Sequence, residues 1–359
     1  MTIINYLMDI RRQKLLIILT PGFPADENDT TCLPMQQQLV LAINRMFPRW
    51  TLKILSFQYP YEAKSYKWFG NEVVSFGGRN KGYFWRFFLR RKVYASLRKT
   101  HKEQEINGLF SFWFGECALV GKRFADKHKL KHYCWLLGQD ARSTNPYPRR
   151  ISMDGTELIA LSDFLQAEFE RNHKVKPARV IVPGLVKSAV PIHETRDIDL
   201  LGAGSLIPLK NFDLFIDIAL QLKYAFPGLK AIIVGEGPER ARLERQLKSA
   251  GLQTNIKLAG QLSYNKVLEY MRRSKILLHP SSYEGFSGVC LEALASGAHV
   301  ISFCKPMNTE IDSWTIVDSK EKMVERALSI LQNPETKINT KPVYHINDTA
   351  KNIIALFNQ

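Results

Sequence analysis

Paired cysteines, long apolar runs and acidic residues are what this 359-residue chain has least of. Its five cysteines (Cys32, Cys117, Cys134, Cys290 and Cys304) are scattered, odd in number and form no C-x-x-C pair. That argues against a disulfide frame or a cysteine zinc site and points to a reducing compartment. No apolar run approaches the roughly 18 residues of a membrane-spanning helix. The run at 15–19 is too short for a secretory segment and is followed by Pro21-Gly22, as after a buried strand. The expectation is a cytoplasmic protein, soluble or peripheral on the inner face of the cell membrane. Internal repeats and low-complexity tracts are also missing, and 45% hydrophobic residues are ample for packed cores.

The shortage of acid leaves 50 Lys and Arg against 34 Asp and Glu, a formal charge of +16. Much of it lies at 81–102, which holds Arg86, Arg90, Arg91, Lys92, Arg98 and Lys99 among Phe84, Trp85, Phe87, Phe88 and Leu89. Basic residues interleaved with bulky aromatics suit a helix lying on an anionic membrane surface. They also suit nucleic acid, but no RNA- or DNA-binding motif accompanies them, so nucleic acid is not the expected partner. A solvated helix that keeps its aromatics in the core is the remaining reading.

Short β-rich runs alternate with amphipathic stretches. The first half gives strands at 14–19, 51–57, 72–76, 109–114, 133–137, 157–161 and 180–182, with helices at 117–129 and 164–174. The second gives strands at 199–201, 230–234, 256–258, 275–278 and 299–302, with helices at 212–226, 239–249 and 266–273. Continuous apolar strands joined by helices predict an α/β protein of parallel sheets covered on both faces. Two Rossmann-like domains are the economical architecture, with parallel sheets facing a central cleft and binding at the carboxyl ends of the strands. The boundaries read as 1–186, 187–338 and a helical tail at 339–359.

The densest chemistry lies at 280–301. Glu284 opens the glycine-bearing turn Gly285-Phe286-Ser287-Gly288, Ser287 is a candidate N-cap for a helix over 289–296, and Gly297 suits its C′ position. A helix start behind such a turn offers N–H groups and a positive dipole end to an anion such as a diphosphate. Glu284 and Glu292 flank it as acceptors for sugar and ribose hydroxyls. A capping turn with a solvated glutamate is the bland alternative. A glycosidase pair fits worse, because its carboxylates face one bond across roughly 5–9.5 Å. Three further glycine turns close strands in the same half: Gly202-Ala203-Gly204-Ser205 leading to Lys210-Asn211, Gly235-Glu236-Gly237-Pro238, and Gly260-Gln261. Each is weak alone. As an ordered set they are stronger.

With these residues in place, 199–302 resembles the nucleotide-binding domain of the GT4 family of retaining glycosyltransferases, which have the two-domain GT-B fold. The resemblance rests on Gly204 with Lys210-Asn211, the Gly235–Pro238 turn, and Pro280-Ser281 followed by Glu284 and Glu292 as the family's E-x7-E. In the first half it rests mainly on strand order and on Val182-Pro183-Gly184, near the family's interdomain crossover. It implies transfer of a sugar from a nucleotide-sugar donor to a glycan or lipid-linked acceptor hydroxyl, with retention and without a metal or other cofactor. Glu284 would contact the donor sugar, Glu292 the ribose and Lys210 the diphosphate. The backbone of Gly285, Phe286, Ser287 and Gly288 would meet sugar and phosphate, and Gly260-Gln261 would lie near the base. Envelope, exopolysaccharide or lipid-linked glycan synthesis is the expected setting.

Several residues depart from the family pattern. Gly204-Ser205 stands where the family has Gly-Arg, so one diphosphate charge is missing. The N-terminal Gly-Gly is replaced by the loop beginning Pro21-Gly22-Phe23. Cys304-Lys305-Pro306-Met307-Asn308 replaces a glycine-rich turn, and Lys305 is a candidate for compensating charge. In the first half, Asp140 of Leu137-Gly138-Gln139-Asp140 is the candidate polar contact to the donor sugar and a second catalytic residue, with a turn-capping aspartate as the equal alternative. Asp197-Ile198-Asp199 mimics a metal motif but sits at a strand start. His128 and His132 lack companion ligands and are expected to be solvated. Within the fold, the alternatives are a sugar-nucleotide epimerase or a non-catalytic GT-B protein that only binds.

Overall fold

The apolar runs become the centres of two parallel sheets, one in each of two compact units. The computed structural model describes residues 13–186, 195–333 and 343–358. One unit comprises Met1–Gly184 with Ile346–Gln359, the other Leu185–His345. The sequence-read boundaries at 187 and 339 lie outside the described residues.

The first unit runs β1 (Lys14–Gly22), α1 (Pro34–Met46), β2 (Trp50–Tyr59), β3 (Ala63–Trp68), β4 (Asn71–Phe76), α2 (Tyr83–Glu103), β5 (Ile106–Phe112), α3 (Glu116–His128), β6 (His132–Leu136), β7 (Leu158–Ala160), α4 (Asp163–His173) and β8 (Arg179–Val180). Its sheet has the order β3-β4-β2-β1-β5-β6-β7-β8, and every pair is parallel except β3 with β4. Leu16, Ile17 and Leu19 of β1 are fully buried, as a strand covered on both faces requires. The β3–β4 hairpin was not expected from the sequence. Phe69 and Gly70 both take positive φ (43° and 80°), the geometry of a tight two-residue hairpin turn, and a phenylalanine in the first position hides that signal.

The histidine expectation is corrected here. His132 is buried beneath α3 with Nε2 2.7 Å from Ser111 Oγ, and His128 stacks on Phe124 at 4.3 Å. Their lysine-rich neighbourhood in sequence misleads, because both rings turn inward from the strand and helix that carry them. All five cysteines are free thiols.

The second unit runs β9 (Ile198–Ala203), α5 (Phe212–Ala225), β10 (Ala231–Val234), α6 (Arg240–Ser249), β11 (Ile256–Gly260), α7 (Tyr264–Arg273), β12 (Ser274–His279), α8 (Gly288–Ala295), β13 (His299–Ser302), β14 (Trp314–Ile316) and α9 (Lys320–Gln332). Its sheet is parallel throughout, in the order β11-β10-β9-β12-β13-β14. Phe215, Ile216, Ala219 and Leu222 of α5 pack with Met323 and Ala327 of α9 over Leu200, Ile233 and Ile276. The chain fills one side of the sheet with β9, β10 and β11, then crosses to the other with β12 to β14. The strand order therefore reverses between β9 and β12, where open α/β sheets bind ligands.

The terminal helix α10 (Ile346–Phe357) returns to the first unit. Phe357 meets Trp50 and Tyr133 with ring centroids 6.0 and 5.2 Å away, and Gly108 leaves the room it needs, since a Cβ there would lie 2.3 Å from that ring. Arg45 and Lys14 donate to Asn347 and Asn358 at its two ends, at 2.7 and 3.1 Å. Burying a side chain such as Ile353, Ile354 or Phe357 contributes about 1.5–3 kcal/mol, which fixes the helix on its unit. Among the described residues no helix is long and apolar enough to cross a membrane.

Candidate active site

Two loops at the switch point build the site. After β9 the chain forms a 3-10 turn, Pro208–Lys210, and Asn211 in a left-handed conformation (φ 49°) starts α5. This loop is laced to the one after β12. Asn211 Nδ2 donates to the Pro280 carbonyl at 2.9 Å, while Ser282 N and Ser281 Oγ donate to the Leu209 carbonyl at 3.0 and 3.1 Å. The lacing delivers Lys210 Nζ onto Glu284 Oε1 in an ion pair whose side chains are 19% and 17% exposed.

The same carboxylate oxygen accepts from Ser281 Oγ at 3.2 Å and lies 3.3 Å from His279 Nε2. Burial alone would raise the Glu284 carboxyl, but the His279 hydrogen bond and the Lys210 charge prevail and hold it at about 2. Burial pushes His279 below its ordinary value against the pull of Glu284, so a neutral imidazole is favoured. The site at rest is thus one carboxylate neutralised by one lysine. His279, the Ser281 hydrogen bond and the lysine–glutamate pairing were not read from the sequence, where Ser281 figured only in the Pro280-Ser281 motif. The signal available was a histidine closing an apolar strand directly before Pro280-Ser281.

Glu292 sits in the opposite state. It lies on α8 and shares a hydrogen bond with Tyr264 of α7. Burial raises its carboxyl to about 7, the tyrosine only partly opposing this, and burial together with Glu292 pushes the Tyr264 phenol up. Glu284 and Glu292 therefore titrate on opposite sides of their ordinary value.

Helix α8 begins at Gly288, one residue earlier than expected, with Ser287 at the N-cap position. The serine does not cap through its side chain, since Oγ turns instead to His279 Nε2 at 3.4 Å. Gly297 takes the left-handed C′ conformation (φ 79°) that ends the helix. Half-buried Arg196 donates to the carbonyls of Met271 in the last turn of α7, of Ser274 just beyond it and of Ser296 just beyond α8, which pins both helix ends. Phe286 is buried, edge-on to Trp314 and Tyr344.

The glycine turns form a mutually packed rim. Gly204 N donates to the Val234 carbonyl at 3.0 Å, Gly235 N to Gly260 at 2.9 Å, and Leu206 N to Glu236 at 2.9 Å. Gly235 has φ 143°, and a Cβ there would lie 1.8 Å from the Gly204 carbonyl oxygen, so loop-on-loop packing accounts for this glycine. Gly204 differs. At φ 146° its added Cβ would meet only the Lys210 side chain, at 3.6 Å, so this backbone borders the charged pair. Ser205 and Gln261 are exposed at the ends of β9 and β11.

Asp140 belongs to the first unit, where it is buried and Oδ2 accepts from both Phe114 N and Leu137 N at 2.8 Å. Burial raises it to about 7 against those two bonds. Its geometry is that of the capping aspartate, tying the loop after β6 to the one after β5. Asp197 is held by Arg273 at 2.5 Å and Asp199 by Lys275 at 2.7 Å, so both serve ion pairs within the second unit. Lys305 is exposed and lines a groove of about 640 Å³ with Glu310, Trp314 and Arg326.

Residues 187–341 match the family described as glycosyl transferases, group 1, a span that covers nearly the whole second unit. A 2-deoxystreptamine N-acetyl-D-glucosaminyltransferase of Niallia circulans is 32% identical over 103 residues, 29% of this chain and 26% of that protein. A component of the phosphatidylinositol N-acetylglucosaminyltransferase of Arabidopsis thaliana is 26% identical over 193 residues, 49% of this chain and 43% of that one. The chain thus spans less than half the length of these relatives. The structure of Anabaena Alr3699/HepE in complex with UDP and glucose superposes with a TM-score of 0.68 over 97% of this chain and 100% of that one, at 15% identity. The fold is GT-B, two Rossmann-like parallel-sheet units.

Proposed function

We propose that the protein is a retaining glycosyltransferase of GT4 type that moves a sugar from a nucleotide-sugar donor to an acceptor hydroxyl. The observation that carries this reading is the Lys210–Glu284–His279 constellation at the strand-order reversal of the second unit, directly before the N-terminus of α8. A donor diphosphate placed over that helix start meets backbone N–H groups and the Lys210 ammonium. Glu284, ionised across the physiological range, accepts from sugar hydroxyls, and Glu292 on the helix faces the ribose. The bond from the anomeric carbon to the diphosphate oxygen breaks, and that oxygen leaves with the electron pair. The acceptor oxygen bonds to the same face of the sugar as its O–H proton passes to the departing diphosphate oxygen. Lys210 and the helix dipole supply the positive charge for the leaving group, so the reading asks for no metal. No step is assigned to Asp140, whose carboxylate is taken by two backbone N–H groups.

The relatives named as N-acetylglucosaminyltransferases and the neighbour solved with UDP and glucose support a uridine nucleotide donor. The acceptor in this reading is an envelope or lipid-linked glycan, used by an enzyme peripheral to the inner face of the membrane. Calorimetric titration with UDP and GDP tests the donor site. Binding of one nucleotide that a Lys210→Ala, Glu292→Ala variant weakens tenfold or more is the expected result. Equal binding by the variant, or no binding of either nucleotide, overturns the assignment. Acceptor-dependent release of nucleoside diphosphate then separates transfer from mere binding.

A further inference from the structure

Helix α2 carries a surface that donor chemistry does not use. Leu89, Val93, Leu97 and Thr100 form its buried stripe, at 6%, 0%, 0% and 5% exposure. The aromatics of its first turns are not in the core: Phe84, Trp85, Phe87 and Phe88 are 79%, 60%, 47% and 57% exposed. Four large apolar rings exposed at one helix start are the mark of an interaction surface.

The rest of the outward face is cationic. Phe84, Phe88, Arg91, Arg98 and Lys102 follow one another at i, i+4, i+7, i+14 and i+18, so the rings and the charges share one line along the helix. Residues 81–102 hold eight Lys and Arg and no Asp or Glu. Lys81 lies over the Trp85 ring at 4.5 Å and Arg91 over Phe87 at 5.6 Å. Beside this line, α2 and α3 enclose a groove of about 950 Å³ lined by Phe87, Arg91, Tyr94, Arg98, Arg123 and Lys127.

We propose that this face docks on an anionic phospholipid bilayer, with the aromatic turn entering the headgroup–acyl boundary and the groove taking lipid phosphates. The helix rises about 1.5 Å per residue, so Arg98 lies some 15 Å along the axis from Phe88. A helix tilted slightly into the surface therefore places rings and guanidinium groups at their own depths simultaneously. Nucleic acid suits the charge less well here. A single strand wants aromatics on the floor of a basic groove as stacking platforms, whereas Phe84, Trp85 and Phe88 lie at the exposed start of the helix. The docking does not depend on the transferase reading. Where that reading holds, it keeps the enzyme at the surface bearing a lipid-linked acceptor.

Flotation of the full chain with vesicles at about 0.15 M salt tests this, comparing phosphatidylcholine alone with phosphatidylcholine containing about one third phosphatidylglycerol. Binding is expected only to the second. Each lost cation weakens it about fivefold, so an Arg91→Ser, Arg98→Ser, Arg123→Ser variant loses on the order of a hundredfold. A Phe84→Ser, Trp85→Ser, Phe88→Ser variant also releases the vesicles, and both variants keep the wild-type melting temperature because the altered side chains lie outside the core. Brominated lipids quench a fluorescence component that Trp85→Phe removes while vesicle binding persists. Equal binding to both vesicle types, wild-type binding by either triple variant, or no binding overturns the proposal. So does capture of an oligonucleotide through the three arginines by a protein that ignores vesicles.

Discussion

Replacing Lys210 by methionine tests the ion pair at the centre of the site independently of any ligand. The substitution keeps the length of the side chain and removes its charge, leaving Glu284 with only Ser281 Oγ and neutral His279 on its Oε1 atom. Removing one partner of a buried pair costs roughly 3–5 kcal/mol, because the other charge stays buried without compensation. Both side chains keep a little under a fifth of their surface open, which places the expected loss near the lower figure, about 3 kcal/mol. In a unit of this size that amounts to a fall in melting temperature of about 6–12 °C.

The pH dependence gives the argument its sign. In the wild type Glu284 titrates at about 2, below its ordinary value, so its stabilisation is full above about 4.5 and is lost as pH falls through 2. In the methionine variant the carboxyl titrates higher, since burial now acts without the lysine. Protonation then relieves the variant at mildly acid pH while the wild type is still ionised, and the gap between the two melting curves narrows from pH 7 to pH 4. A Lys210→Met, Glu284→Gln double variant recovers most of the loss. A single variant within 1 kcal/mol of wild type, or a double variant no better than the single, would refute the buried-pair reasoning.

Two further substitutions probe the frame around that pair. Gly235→Ala forces a Cβ to 1.8 Å from the Gly204 carbonyl at φ 143°, and chemical denaturation should show a loss above about 3 kcal/mol. Gly260→Ala, at φ 73° with the Glu236 side chain nearest at 3.1 Å, serves as its control and should lose about 1–2 kcal/mol. Glu292 titrates at about 7, above its ordinary value, so the native state holds a proton that the unfolded chain has released. Its stabilisation is full below about 4.5 and is lost as pH rises through 7, worth on the order of 3 kcal/mol. Glu292→Gln should flatten the urea midpoint between pH 5 and 8 relative to wild type, and parallel profiles would remove the shifted carboxyl from the account.

The alternation of strands and helices was legible because buried parallel strands leave continuous apolar runs that side-chain period alone reveals. His299–Ser302 matches the sequence reading to the residue, and β9 and β12 are longer than expected by only a few positions. What stayed hidden depended on partners. Strand β3 is an edge whose residues are mostly exposed, so no apolar run announces it. Strand β14 spans only three residues, and Trp314 owes its burial to neighbours that periodicity does not register. The rings of α2 carry a related lesson, since the sequence offered both a surface-facing and a core-facing reading of them, and only the stripe Leu89–Val93–Leu97 on the inward face leaves the rings outside the core.

The site shows the same division at the level of charge. From the chain, Glu284 and Glu292 are two identical acceptors beside an anion-binding turn. In the fold one is ionised and the other sits near neutrality, because their environments come from distant segments: Lys210, 74 positions upstream, for the first and Tyr264 on a neighbouring helix for the second. The pairing alters what the lysine does. A free Lys210 would be a standing phosphate ligand, whereas one held by Glu284 must be shared with, or surrendered to, an incoming diphosphate. In the proposed reading, donor binding then exposes a carboxylate that sugar hydroxyls can satisfy and phosphate alone cannot. On this argument the intact nucleotide-sugar gains more from the site than the bare nucleotide does, and the resting ion pair is the element that makes the difference.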